Sequence, residues 1–261
     1  MKTRYALGID IGGSGIKGAI VGLTKGEFST DRLRIDTPQP ATPEAVADVV
    51  GQIAEHFADE LGAGPIGVTI PAIVQHGITR SAANIDKSWI DAPAEKIFEE
   101  RLGRDITLVN DADAAGIAEV RWGAAAKQPG LVIVTTLGTG IGSALIYNGV
   151  LIPNSELGHI EIDGHDAETR ASAAVREREG MTHEDWATER LQRYYETIEF
   201  LFSPDLLVVG GGVSKKSKKF LPLLKLKTPI VPAKLLNAAG IVGAAWLAAD
   251  RLKNPDTLID K

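Results

Sequence analysis

The chain has 261 residues, 44% hydrophobic and 24% charged, which suits one large or two modest globular domains. A net charge of -6 argues against nucleic acid and anionic membranes as partners. The absence of cysteine excludes disulfides, thiolate zinc sites and Fe–S clusters.

Residues 5–11 read as a strand and 18–23 as another, with a glycine turn at 12–17. A second turn at 24–27 leads to a third strand within 28–35, completing a meander. Thr42-Pro-Glu-Ala opens a helix, with Thr42 as N-cap and Pro43 at the first helical position. Val46, Val49, Val50, Ile53 and Phe57 give it a helical apolar face. A strand at 66–70 ends at Pro71. A helix at 94–102 and a strand at 106–109 follow; the strand delivers Asn110 and Asp111 at its tip, before a helix at 112–122. The pattern then restarts with a strand at 131–137, a glycine turn at 138–142 and a strand at 143–147. Asn148-Gly149 is a hairpin signal, and 150–152 pairs back. A long helix at 184–202, a buried-type strand at 205–209 and an Ala-rich closing helix at 237–252 complete the reading. The two halves open alike, an internal pseudo-repeat that predicts two α/β domains facing across a cleft. Their expected extents are 1–123 and 124–261, with the C-terminal helix, about 249–261, packing back onto the first.

Asp10-Ile-Gly-Gly-Ser-Gly-Ile-Lys17 follows the first strand. Bare glycine N–H groups can approach phosphate oxygens, and Asp10 at the strand end is placed to hold Mg²⁺ through water. Residues 13–18 also match G-x-G-x-x-G, with Asp36 where a ribose-binding acid would fall. A dinucleotide turn must open a helix, however, and Ala19-Ile-Val-Gly-Leu is strand-like. A plain hairpin without ligand is the other alternative. Leu137-Gly-Thr-Gly-Ile-Gly142 holds the corresponding place in the second half, and Gly210-Gly-Gly-Val-Ser214 is a third glycine site, for phosphate or for helix–strand packing.

In Asn110-Asp-Ala-Asp113, Asp113 reads as a helix cap. Asp111, nearer the strand tip, is a candidate general base for a hydroxyl, an assistance worth about 10²–10⁴ in rate. Glu156 and His159, in Glu156-Leu-Gly-His-Ile-Glu161, can hydrogen-bond sugar hydroxyls. A metal there needs more ligands, and His165, Asp166 and Glu168 have no defined metal spacing. Lys215-Lys-Ser-Lys-Lys219, with Arg170, Arg176 and Arg178, points to a long polyanionic donor, the alternative being a solvated face. No aromatic residues interleave with this run, which again disfavours nucleic acid.

Together, Asp10-Ile-Gly-Gly-Ser, Asn110-Asp, Leu137-Gly-Thr-Gly and Glu156-Leu-Gly-His resemble the motifs of ROK-family sugar kinases. Asp166-Ala-Glu-Thr-Arg-Ala-Ser172, Val175-Arg-Glu-Arg-Glu-Gly180, Val209-Gly-Gly-Gly-Val-Ser-Lys-Lys216 and Thr228-Pro-Ile-Val-Pro-Ala233 are similar to its polyphosphate glucokinase branch. The resemblance implies a two-domain actin-like ATPase (ribonuclease H-like) α/β fold with an interdomain cleft, usually as a homodimer. It implies transfer of the terminal phosphoryl group of inorganic polyphosphate or ATP to the 6-hydroxyl of glucose, with mannose as a second acceptor.

Asp111 matches the family's general base. Asn84, Asn110, Asp111, Glu156, His159 and Glu168 match sugar contacts. Donor contacts fall on Asp10, Gly12, Gly13, Ser14, Lys17, Thr136, Gly138, Thr139, Gly140, Gly210, Gly211, Lys215 and Lys216, with Asp10 also holding Mg²⁺ through water. Many relatives carry a Cys-rich zinc motif after the Glu-x-Gly-His segment; this chain has no cysteine, so no zinc is expected. His159 then serves the sugar alone or is held by Glu161. The first strand begins too early to leave room for a DNA-binding helix-turn-helix. No apolar segment near Met1 resembles an export signal, and no run approaches the roughly 20 residues of a membrane helix, so the expected location is cytoplasmic. An ATP-only kinase, a sugar sensor without turnover and a chaperone or filament ATPase of the same superfold remain as alternatives.

Overall fold

The computed structural model describes residues 4–82 and 85–254. In it the N-terminal meander forms from strands that alternate with glycines. Strand β1 (Tyr5–Gly12) pairs antiparallel with β2 (Gly15–Gly22), placing Asp10 opposite Lys17 and Gly12 opposite Gly15. The turn is therefore Gly13-Ser14 alone, shorter than the 12–17 expected, because its flanking residues stay in the ladder. In place of one third strand, two short ones, β3 (Glu27–Phe28) and β4 (Leu33–Ile35), pair with different stretches of β2. Helix α1 (Pro43–His56) starts as read, the Thr42 hydroxyl accepting the Ala45 N–H at 3.4 Å. Strand β5 (Ile66–Ile70), buried along its whole length, lies parallel to β1. Helix α2 (Ala94–Leu102) and strand β6 (Thr107–Asn110) follow, giving the sheet order β3-β2-β1-β5-β6, and the chain turns directly into α3 (Asp111–Trp122).

The pattern repeats in β7 (Leu131–Leu137), β8 (Ile141–Tyr147) and β9 (Val150–Ile152). Short helices α4 (Glu168–Ala171) and α5 (Ala173–Arg178) come next. The long helix expected at 184–202 is interrupted: a turn at His183–Trp186 passes through a π-helical turn at Ala187–Leu191 into α6 (Gln192–Phe202). Strands β10 (Leu206–Gly210) and β11 (Ile230–Pro232) run parallel beside β7, giving the order β9-β8-β7-β10-β11. Each sheet thus has an antiparallel meander on one side and parallel strands on the other, the topological form of the pseudo-repeat. Helix α7 (Ala239–Arg251) returns to β1 and β5; a Cβ at Gly8 would fall 1.9 Å from the Ile241 carbonyl oxygen, so only glycine admits this approach. Residues 255–261 of the closing helix expected at 249–261 lie outside the described residues.

By its internal contacts the chain divides into two units. The first runs to Ala118 and resumes at Ala238; the second is Glu119–Asn237. The boundary expected from the sequence is 123/124, in a run of small and polar residues. Here the first crossing falls inside α3, and Glu119 is fastened within the second unit. Each unit has its own core. Trp89, Phe98 and Phe57 fill the first, where the Trp89 indole N–H donates to the Ala41 carbonyl at 2.8 Å. Trp186, Phe220 and Tyr195 fill the second, with the Trp186 N–H donating to Ala171 at 3.0 Å. Among the described residues, no helix is long and apolar enough to cross a membrane.

Candidate active site

In the first unit, Asp10 sits near the end of β1. Its Oδ1 accepts the Thr69 hydroxyl at 2.9 Å from neighbouring β5, and the Lys17 ammonium lies 3.9 Å from Oδ2. Gly13 and Ser14 are exposed at the hairpin tip. Arg34 braces this tip from β4, donating to the Ser14 carbonyl at 2.7 Å and to Asp36 at 2.6 Å. Asp36 therefore holds the hairpin, and the glycine turn leads into a strand, so neither half of the dinucleotide reading survives. A cavity of about 260 Å³ opens beside the tip, walled by Gly12, Gly13, Thr37, Pro71 and Asp86 among others. Asn84, an expected sugar contact, lies outside the described residues.

At the tip of β6 the cap is Asn110, not Asp113. The Asn110 Oδ1 accepts the N–H groups of Ala112 at 2.8 Å and Asp113 at 3.1 Å, while its Nδ2 donates to the Ala72 carbonyl at 3.1 Å. The helix begins one residue earlier than expected, which moves the cap back to Asn110 and puts Asp113 in the first turn, 1% exposed. Asn110 is itself 8% exposed, and its second amide hydrogen is what it can offer a sugar. Asp111 is half-buried at the first helical position, its Oδ1 accepting the Ala112 N–H at 2.8 Å. A carboxylate here faces the positive end of the helix.

In the second unit, Glu156, His159 and Glu168 gather around a residue singled out only as a possible metal ligand, Asp166. The His159 Nδ1 meets the Asp166 Oδ2 at 2.8 Å, and its Nε2 lies 3.9 Å from Glu156. Glu161, the alternative partner for His159, is exposed. The reason is a tight hairpin: Asp163 (φ 53°) and Gly164 (φ 76°) turn Glu161–Ile162 back against His165–Asp166. Asp163-Gly164 is a hairpin signal that the sequence carried. The Glu168 Oε2 accepts the Ile141 N–H at 2.9 Å, tying this cluster to the second glycine turn, whose Gly138 carbonyl accepts the Ala174 N–H at 3.1 Å. Ligand atoms of His159, Asp166 and Glu168 lie within 4.8 Å of one another, but the internal hydrogen bonds already account for this clustering.

Burial pushes the Glu156 carboxyl up; His159 opposes this and Glu168 adds to it. The hydrogen bond to Asp166 raises His159 above the ordinary 6.5. A pKa raised on folding favours the folded chain below pH 6.5, and the gain is lost as pH climbs through the folded value. In an NMR titration the His159 ring is expected to titrate above 6.5 and to move back down in Asp166→Asn. An unchanged midpoint in that variant would remove Asp166 as the cause.

The third glycine site packs against the second. Gly211 has φ 79°, and a Cβ on it would lie 2.3 Å from the Leu137 carbonyl oxygen, just before Gly138. Packing therefore explains Gly211, and Gly210 pairs beside Thr136 in the ladder. Gly138 and Thr139 are exposed at the hairpin tip. Beyond Gly211 the chain forms a 3₁₀ coil at Gly212–Lys219, from which Lys215, Lys216, Lys218 and Lys219 are exposed without an ion pair among the described residues. The arginines expected to join them have local partners instead. Arg176 donates to the Met181 carbonyl and lies over the Trp186 ring, Arg178 is 4.0 Å from Glu179, and Arg170 meets His165.

The ROK family profile matches residues 6–174. A polyphosphate glucokinase of Mycobacterium tuberculosis (strain ATCC 25618 / H37Rv) is 51% identical over 243 residues, covering 93% of this chain and 90% of the relative. The crystal structure of inorganic polyphosphate/ATP-glucomannokinase from Arthrobacter sp. strain KM is 55% identical, with a TM-score of 0.90, covering 95% of this chain and 99% of that one. A ROK glucokinase from Streptomyces griseus, solved with glucose and AMPPNP, shares 24% identity at a TM-score of 0.79 over 94% and 99% of the two chains, a likeness of fold. The fold is the actin-like ATPase fold of these sugar kinases. On this match, and on its identity along nearly the whole chain to named members, the protein belongs to the ROK family.

Proposed function

We infer that this chain is a kinase that moves the terminal phosphoryl group of inorganic polyphosphate or ATP to the 6-hydroxyl of glucose, and of mannose as a second acceptor. The observation that carries the reading is the likeness, along more than nine-tenths of the chain, to a polyphosphate glucokinase and a polyphosphate/ATP-glucomannokinase. A shared fold alone would support no particular donor.

In the proposed reaction the sugar's 6-oxygen attacks the terminal phosphorus, the bond to the next phosphate breaks, and Asp111 takes the hydroxyl proton. Glu156, His159 and Glu168 hold ring hydroxyls, Asp166 fixing the His159 ring through Nδ1. Backbone N–H groups at the exposed tips, on Gly13, Ser14 and Thr139, face donor phosphates, while the Gly138 N–H is taken by the Gly140 carbonyl at 3.0 Å and shapes the turn. Asp10 suits a hydrated Mg²⁺. Its Oδ1 is engaged by Thr69, but Oδ2 has Lys17 no nearer than 3.9 Å and 23% of the side chain is exposed. Such an ion would neutralise charge on the donor phosphates. The family resemblance supports a homodimer, and use of ATP supports a cytoplasmic site of action.

The test is glucose 6-phosphate formation with polyphosphate and ATP offered separately, in wild type and in a variant with Lys215, Lys216, Lys218 and Lys219 all changed to Ala. The variant is expected to raise the polyphosphate KM about tenfold at low salt and to leave the ATP KM nearly unchanged, the difference shrinking as salt screens the lysines. Turnover with ATP alone would return the four lysines to a solvated face. Glucose binding without turnover on either donor would replace the kinase with a sugar sensor.

A further inference from the structure

A cavity of about 270 Å³ lies in the second unit, walled on one side by the π-helical turn and on another by α4. Glu156, His159 and Glu168 are not among its wall residues, so it is separate from the sugar cluster. Its size is just below that of typical ligand pockets.

Two buried polar atoms of its wall residues lack the partners that such atoms normally have. Tyr194 is 1% exposed, and its hydroxyl has no hydrogen-bond partner among the described residues. The Arg190 Nε is likewise buried and unmatched, the guanidinium reaching Glu179 only at 3.6 Å. Arg170, half-buried, meets a ring nitrogen of His165 at 2.6 Å and has no carboxylate within 4.0 Å among the described residues. A fourth wall residue, Arg193, is fully matched: its Nε and Nη2 donate to the two oxygens of Asp163 at 3.0 and 2.8 Å. Counting Glu189 as well, the wall residues include three arginines and two carboxylates, with Glu179 just outside the wall beside Arg190. The π-helical turn that aims Glu189 and Arg190 at the cavity is a distortion found most often at functional sites.

We propose that this cavity binds a phosphate group, free or as the ester of a small polyol. Arg170 and Arg190 take its oxygens, since planar guanidinium forks match tetrahedral oxyanions, and the Tyr194 hydroxyl donates a further hydrogen bond. Ile162, Ala167 and Ala171 supply an apolar wall for the carbon skeleton of an ester.

The test uses the full chain, co-crystallised with glucose 6-phosphate in one arm and with inorganic orthophosphate alone in the other. Calorimetry with the same probes is run on wild type, Tyr194→Phe and Arg170→Gln. The expected result is a phosphate against Arg170, Arg190 and the Tyr194 hydroxyl. Calorimetry should show a binding event weakened about tenfold by Tyr194→Phe and at least as much by Arg170→Gln, while any event at the sugar site persists. The same site filled in both arms assigns the free ion; filling by glucose 6-phosphate alone assigns the ester. An empty cavity in both arms overturns the proposal, as does equal affinity in wild type and Arg170→Gln, or a second copy of the chain sealing the cavity. If Tyr194→Phe fails to fold, Arg170→Gln on half-buried α4 still decides. Binding needs no turnover, so its failure is distinguishable from failure of the kinase reading.

Discussion

Asp111→Asn is expected to lower kcat by about 10²–10⁴, equally with polyphosphate and ATP, and to leave the glucose KM nearly unchanged. The amide keeps the shape of the carboxylate, and its oxygen can still accept the Ala112 N–H that Asp111 accepts at 2.8 Å. Asn110 continues to cap the helix through Ala112 and Asp113, so the start of α3 stays in place. What disappears is a lone pair basic enough to take the hydroxyl proton. A carboxylate in the first turn also favours the helix by about 0.3–1 kcal/mol, so melting should shift only slightly. The equal effect on both donors is the sharper part of the prediction, because the proton leaves the acceptor whichever donor is used. A loss confined to one donor would move Asp111 to the donor side. A rate close to wild type would remove it from the chemistry.

The sequence made the regular elements legible because their signals are local. Alternation and glycine punctuation located β1, β5, β7 and β10 within a residue or two, and Thr42-Pro43 set the start of α1. The repeat of strand, glycine turn and strand was visible because both sheets are wound in the same order. What escaped depends on contacts distant along the chain or on one-residue differences in register. A helix beginning at Asp111 instead of Ala112 transfers the cap from Asp113 to Asn110 and leaves Asp113 buried. The contact of His159 with Asp166 depends on the Asp163-Gly164 hairpin, which brings back an acid seven residues away, farther along the chain than the alternative Glu161. The π-helical turn at Ala187–Leu191 has no composition of its own, since Ala, Glu, Arg and Leu all favour an ordinary helix. Of the candidate residues, Asp10 and Asp111 sit at strand and helix ends where the pattern of elements placed them, whereas Glu168 came only from the family resemblance; the bonds to Asp10 and Glu168 come from Thr69 and Ile141, distant in sequence.

Glu119→Ala is expected to destabilise the fold by about 3–5 kcal/mol, a drop in melting temperature on the order of 10 °C. Glu119 is 1% exposed. Its Oε2 accepts the N–H groups of Ala124 at 2.7 Å and Lys234 at 3.1 Å, and its Oε1 accepts Leu235 at 2.7 Å. Hydrogen bonds to a charged group contribute roughly 1.5–3 kcal/mol each, and their loss leaves backbone donors facing a void. The position adds to the effect. The chain enters the second unit at Glu119 and leaves it after Asn237, and this carboxylate joins backbone from both ends across 115 and 116 residues of sequence. Glu119→Gln preserves the shape but turns one acceptor oxygen into an amide NH₂ group that must face a backbone donor, so an intermediate loss is expected. Amide exchange should report the same geometry: Ala124, Lys234 and Leu235 lose protection first, ahead of the strands of the β7 sheet. Wild-type melting in Glu119→Ala, with those three amides still protected, would show that the loops hold without the carboxylate.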